Sequence, residues 1–296
     1  MLRIALFLMT NLAIVVVLGV VMSLFGVGQY LDASGGIDLV QLLIFSAIVG
    51  FTGSLISLFL SKTMAKHSMG VQLITQPRSA DEQWLVSTVQ QLAQEAGIKT
   101  PEIGIFPARE ANAFATGWNR NDALVAVSLG LLQRFERDEV RAVLAHEIGH
   151  VANGDMVTLS LIQGVVNTFV IFFARIIGHV VDKAVFKTER GNGPGFLITS
   201  IVAQLVLGIL ASIIVMAFSR YREYRADAAG AHLAGRSAMI RALQRLQAEV
   251  NAGVQSPMPE NLKAFGISGG FKQQLGELFA SHPPLQARIE ALSRQA

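Results

Sequence analysis

The 296-residue chain has no cysteine, which excludes disulfides, thiolate metal sites and cysteine nucleophiles. Any metal must be held by histidine and carboxylate. Charge is also scarce: Asp, Glu, Lys and Arg make up 15% of the residues, against about 25% in a soluble domain. The formal net charge is +3, yet no run of Lys or Arg is dense enough to read as a nucleic-acid patch. There is no internal repeat and no low-complexity tract. The missing charge is concentrated in four long apolar stretches within a chain that is 52% hydrophobic. That pattern excludes a disordered chain or an ordinary soluble globule and places part of the protein in lipid.

Residues 4–24 and 39–60 carry no charge over 21 and 22 positions, matching the roughly 20 residues a helix needs to cross the hydrocarbon core. The first run is too long for a cleaved signal peptide and lacks a clean small-x-small site, so it reads as a retained anchor. The loop between the two runs holds Asp32 and Asp38 and no basic residue, whereas Arg3, Lys62 and Lys66 lie on the other flanks. The positive-inside rule then puts the N-terminus and everything after Leu60 in the cytoplasm. Residues 156–181 and 196–218 form a second apolar pair. The third stretch contains Arg175 and His179 near its end, where both can snorkel, and the fourth is uncharged. Their connection carries Asp182, Lys183, Lys187, Glu189 and Arg190, but Arg220, Arg222 and Arg225 argue for a cytoplasmic exit. A membrane hairpin is expected. The alternative is an apolar hairpin that packs on the soluble domain or dips part-way.

The remainder reads as soluble. Ser79-Ala80-Asp81-Glu82 fits a capping box and predicts a helix to about Ala96, stopped by Gly97. Residues 102–106, 112–116 and 123–128 predict short strands of a small sheet. Helices are expected over 138–151, 221–233 and 236–250, a loop over 251–270, and a helix pair flanking His282-Pro283-Pro284. The expected fold is thus a mainly α membrane protein. Two N-terminal transmembrane helices (1–60) precede cytoplasmic segments (61–155 and 219–296), mostly helical with a small sheet, which flank the second hydrophobic hairpin (156–218).

His146-Glu147-Ile148-Gly149-His150 carries the chemistry. Histidines four apart share one helix face and can grip one ion. Glu147 lies beside the first of them, where a base is needed to take a proton from attacking water. The cytoplasmic segments 61–155 and 219–296 are therefore expected to form a zincin-type catalytic domain. A catalytic zinc site needs a third protein ligand. Asn153 and Met156 stand where a metzincin needs Gly and His, and the inverted H-x-x-E-H order is absent. A carboxylate from a later helix remains, and Glu223 is the choice. Asp227 follows four residues on and can accept a hydrogen bond from the free ring nitrogen of a ligand histidine. Asp155 lies too close along the chain to fold back as a ligand, and Glu189 falls on the wrong side of the membrane.

These motifs resemble the HtpX family of bacterial membrane zinc metalloproteases, relatives of the CaaX prenyl proteases. The resemblance runs over nearly the whole chain. It rests on Ala145 to Asp155, Arg222-Glu223-Tyr224-Arg225-Ala226-Asp227, the two apolar pairs and His282-Pro283-Pro284. It implies one Zn2+ per chain on His146, His150 and Glu223, with Glu147 as general base. It implies that Asn112-Ala113-Phe114 borders the cleft and meets substrate main chain. It also implies a site in the bacterial inner membrane and a role in membrane-protein quality control and stress response. Residues 112–116 then read either as an edge strand to which a peptide adds or as a plain structural strand. His282 reads as a donor to the developing oxyanion, with Arg288 aiding it, or as a helix cap. His67, His179 and His232 have no partner pattern.

The leading expectation is a zinc endopeptidase that cleaves membrane proteins at the cytoplasmic face, with polypeptide substrates, the lipid bilayer as its setting and no nucleic-acid partner. The oligomeric state is open. Arg134, Glu136, Arg137, Asp138, Glu139 and Arg141 precede the motif and argue against cleavage at the bilayer centre. CaaX-type processing of lipidated peptides and a non-enzymatic metal-binding membrane scaffold are the rival readings.

Overall fold

The computed structural model describes residues 37–188, 193–252 and 282–294. The expected span 4–24 and most of the loop 251–270 lie outside them. The described elements run α1 (Leu39–Ser68), β1 (Gln72–Leu73), α2 (Ala80–Glu95), β2 (Glu102–Phe106), β3 (Ala113–Asn119), β4 (Asp122–Ser128), α3 (Leu129–Arg134), α4 (Arg137–Asn153), α5 (Asp155–Ala184), α6 (Pro194–Ala234), α7 (Arg236–Asn251) and α8 (Leu285–Arg294).

Helices α1, α5 and α6 are each long and apolar enough to cross a membrane, with mean hydropathies of 2.2, 1.9 and 2.6 in their apolar windows. All three outrun the expected apolar segments, α5 by a few residues and the other two by more. The apolar run of α1 ends at Leu60, but the helix continues to Ser68. A separate helix is expected over 221–233, whereas α6 continues unbroken to Ala234. No glycine or proline lies between Phe218 and Ala229, so the change from apolar to charged side chains alters the solvent and leaves the backbone helical.

Contacts divide the described residues into two units, those within 1–54 and 161–211 and those within 55–160 and 212–296. In the first, small residues set the helix spacing. A Cβ on Gly50 would lie 2.7 Å from the Thr168 backbone nitrogen, and one on Gly164 would lie 2.8 Å from the Phe51 ring. Close approach of this kind is how helices pack in lipid, where burial of apolar area supplies no drive. The Asp182 carboxylate accepts hydrogen bonds from the backbone N–H of Gly193 (2.8 Å) and Phe196 (3.0 Å). It thereby satisfies donors at the start of α6.

The second unit holds the sheet, in the order β1-β2-β4-β3. β2 and β4 run parallel, and β3 pairs antiparallel with β4 alone, as an edge strand. β4 is buried along almost its whole length, which explains its unbroken apolar run from Ala123 to Val127. Leu85, Val89 and Leu92 of α2, Val125 and Val127 of β4, and Leu144 and Ile148 of α4 form one core. Ala142 of α4 joins a second core with Met239 and Leu243 of α7 and Leu292 of α8. Ser79 caps α2 by accepting from the Glu82 N–H at 3.1 Å. Helix α4, which bears the histidines, thus contributes to both cores.

Candidate active site

Helix α4 presents His146 and His150 on one face, with ring centroids 4.7 Å apart and rings nearly perpendicular. Helix α6 brings Glu223 opposite them. The close crossing depends on small residues: a Cβ on Gly149 would lie 2.9 Å from the Ala229 Cβ, and one on Gly230 would lie 3.2 Å from the His146 backbone nitrogen. The two carboxylate oxygens of Glu223 are divided between the imidazoles. His146 Nε2 is 3.5 Å from Oε2 and His150 Nε2 is 3.2 Å from Oε1.

The other ring nitrogens are also engaged. His146 Nδ1 lies 3.0 Å from the Asp227 carboxylate, as the spacing of Glu223 and Asp227 implies. His150 Nδ1 donates to Asp155 at 2.8 Å. Motif spacing does not predict this second contact, since Asp155 enters the sequence argument only as a rejected metal ligand. The signal was Gly154, which takes a left-handed conformation (φ 67°) at the end of α4 and turns the chain back onto its own last turn. Arg222 was likewise missed. Its guanidinium donates to the Asp155 backbone oxygen at 2.9 Å and to Ser219 Oγ at 3.1 Å, tying the start of α5 to α6.

Arg288 is expected to assist His282, but its planar fork is committed to Asp227, at 2.8 Å from Nε and 2.5 Å from a terminal nitrogen. Its other terminal nitrogen lies 3.4 Å from Glu223. His282 itself is largely exposed, and its Nδ1 donates to Glu223 Oε2 at 2.6 Å. Glu147 is half-buried on α4, and its charge is felt at both His150 and Arg288. Asn112 immediately precedes β3, and Ala113 and Phe114 open it, paired with Val127 and Ala126 of β4. β3 lies against α4, so this segment borders the helix that carries the histidines.

Electrostatics follow from burial and pairing. Burial opposes the charged form of His150, but hydrogen bonds with Asp155 and Glu223 outweigh it and raise the pKa to about 10. His146 is raised in the same way, by Asp227 and Glu223 against burial. Burial would raise Glu223, yet the three histidines hold it well below the usual carboxylate range. Asp227 is lowered against burial by Arg288 and His146.

One ligand atom each from His146, His150 and Glu223 lies within 4.8 Å of the others. Both Nδ1 atoms are directed at carboxylates, which leaves both Nε2 atoms facing the same carboxylate. Two imidazoles with outer carboxylate partners plus one carboxylate form a donor set that fits a divalent metal. These three residues would hold it.

Residues 79–296 match the family described as Peptidase family M48. The chain belongs to peptidase family M48. Among its M48 relatives, Protease HtpX of Cellvibrio japonicus (strain Ueda107) is 74% identical over 296 residues, covering 100% of this chain and 99% of that protein. Protease HtpX of Pseudomonas fluorescens (strain Pf0-1) is 66% identical over the full length of both. The resemblance to the HtpX family read from the motifs is therefore borne out. The crystal structure of S. mikatae Ste24p shares the M48 chain's fold, with a TM-score of 0.60 at 17% identity, covering 97% of this chain and 67% of that one. With three helices among the described residues able to cross a membrane and a histidine–glutamate cluster suited to a metal, the M48 chain is a membrane metalloprotease.

Proposed function

We propose that the protein is a zinc endopeptidase of the bacterial inner membrane that cleaves membrane proteins at the cytoplasmic face, in membrane-protein quality control and stress response. The observation that carries the chemical part is the convergence of His146, His150 and Glu223, with Glu147 next to the first ligand on the same helix. Two imidazoles and one carboxylate suit zinc. When bound, the ion supplies Lewis-acid chemistry, making water more acidic and a peptide carbonyl more electrophilic.

The chain's own residues do the rest. Glu147 accepts the proton of the attacking water and returns it to the departing amine. Asp155 and Asp227 hold the two imidazoles in one tautomer, with Nδ1 protonated and Nε2 free. Arg288 keeps the buried Asp227 carboxylate charged. Edge strand β3, through the segment Asn112-Ala113-Phe114, pairs with the substrate main chain and sets the scissile bond over the site. His282, on the open side of Glu223, donates to the carbonyl oxygen as it gains charge.

The order of segments along the chain supports this placement at the membrane. His150 is six residues before the apolar run 156–181, and Glu223 is five residues after the run 196–218. Both apolar runs therefore lead directly into the site, which favours substrates in or near the bilayer. The basic flanks Lys62, Lys66, Arg220, Arg222 and Arg225 favour the cytoplasmic side.

Purified full-length protein in lipid nanodiscs should cleave a membrane-protein substrate, lose that activity to a chelator and regain it with zinc. Glu147→Gln should keep the metal and lose cleavage by about 100- to 10,000-fold. Undiminished cleavage by that variant would refute the assigned base.

A further inference from the structure

The β3–β4 hairpin carries features that the protease site does not use. Register slips between Gly117 and Asn119, leaving Trp118 as the extra residue of a bulge. Gly117 takes φ 148°, a conformation that favours glycine, and a Cβ there would lie 2.4 Å from the Asp122 carbonyl oxygen. Bulges of this kind re-aim a side chain. Here the re-aimed residue is an indole left 44% exposed.

The indole is not placed at random. Its ring lies 5.9 Å from that of Phe59, within the last turn of the apolar run of α1. Its Nε1–H donates to Asp122 at 2.5 Å, so its polar edge is satisfied while its apolar face stays open beside Phe59. One turn further along α1, Lys62 pairs with Asp122 and, at 3.1 Å, with Glu102, and Lys66 pairs with Glu102. The Lys62–Asp122 pair ties the hairpin, and the Glu102 pairs tie the adjoining strand β2, to the juncture where α1 changes from apolar to charged. Phe59 is 64% exposed, and the open apolar surface continues along α1 through Ile56 and Leu55. Arg120 at the hairpin turn and Lys99 nearby are exposed cations.

An apolar ring with a satisfied polar edge, continuous with a membrane-crossing helix and flanked by cations, is the arrangement found at the lipid–water boundary. We propose that the β3–β4 hairpin is a membrane-interface anchor, with Trp118 and Phe59 in the acyl–headgroup boundary and Arg120 and Lys99 among lipid phosphates. The occupant of the surface is the bilayer itself, because the patch extends a face that α1 already presents to lipid. The outer end of edge strand β3 is then held at the depth where a membrane polypeptide leaves the bilayer.

The chain has two tryptophans, Trp84 and Trp118, which makes the test direct. In full-length Trp84→Phe protein reconstituted into phosphatidylcholine–phosphatidylglycerol nanodiscs, lipids brominated high on the acyl chain should quench the remaining emission, and aqueous iodide should quench it weakly. Unquenched emission with brominated lipid overturns the proposal. Accompanying iodide quenching would place the indole in water, and protection from both quenchers would place it under protein, such as a second copy of the chain. Should Trp84→Phe fail to fold, wild type and Trp118→Phe are compared. The lipid-quenchable part of the emission should vanish in Trp118→Phe, and its persistence would assign it to Trp84 and refute the anchor.

Discussion

Asp155 accepts a hydrogen bond from His150 Nδ1 at 2.8 Å, although the two stand only five positions apart and a left-handed glycine lies between. A carboxylate can only accept, so this contact fixes a hydrogen on Nδ1 and leaves Nε2 as the nitrogen that a metal would bind on displacing its proton. Asp155→Asn offers an amide donor in place of a pure acceptor and weakens that preference. Zinc affinity should fall about 10- to 100-fold, the usual effect of losing an outer-shell partner. Competition with a chromophoric chelator measures it, and an unchanged melting curve separates the effect from unfolding.

Arg288 is the cation that neutralises Asp227, and both are buried. Arg288→Ala strands a carboxylate in the interior, which costs about 3–5 kcal/mol when one member of a buried pair is removed. Arg288→Lys keeps the charge but loses the two-pronged contact, and should fall between alanine and wild type. Thermal unfolding of the three proteins in the same detergent tests the order. Equal stability of alanine variant and wild type would show that the fork does not hold α8 in place.

The core of this site was legible because its residues lie at helical spacing. His146 with His150, and Glu223 with Asp227, share faces whatever the tertiary structure does. Strand Glu102–Phe106 and helix Ala80–Glu95 were legible from turn and capping residues. Asp155, Arg222 and Arg288 were not, because their roles arise from a reversed turn, a helix crossing and the docking of α8. Periodicity encodes none of these. The continuation of α6 beyond Phe218 was hidden for a different reason: hydropathy reports the solvent around a helix, not where its hydrogen bonds stop.

Arg134 and Glu249 form a two-pronged ion pair between α3 and α7, at 2.7 and 2.6 Å. The Arg134 hydrogen bonds, with Arg245 adding to them, hold the Glu249 pKa below its ordinary value of 4.5. A carboxylate lowered on folding binds fewer protons in the native state. It therefore stabilises the fold above the unfolded pKa and loses that contribution as pH falls through the folded one. Glu249→Gln should be less stable than wild type at neutral pH by about 1 kcal/mol, the scale of a partly solvated pair. The gap should close below the ordinary carboxylate range. A constant difference between neutral and acidic pH would assign the loss to packing instead of charge.

Gly149 is where the sequence permits α6 to come close enough for Glu223 to meet both imidazoles. A Cβ at this position would stand 2.9 Å from the Ala229 Cβ, a distance side chains do not adopt, so one helix must move. Gly149→Val adds two further methyl groups and should push α6 outward. Overpacking of this kind costs about 1–3 kcal/mol, which a unit held by two apolar cores can survive. The ligand set is less forgiving, since it needs groups from α4 and α6 at bonding distance from one ion. The variant should remain folded and membrane-inserted yet purify with little zinc, as metal analysis and protease protection would read together. Full metal content in a folded Gly149→Val protein would mean that the helix crossing does not set the position of Glu223.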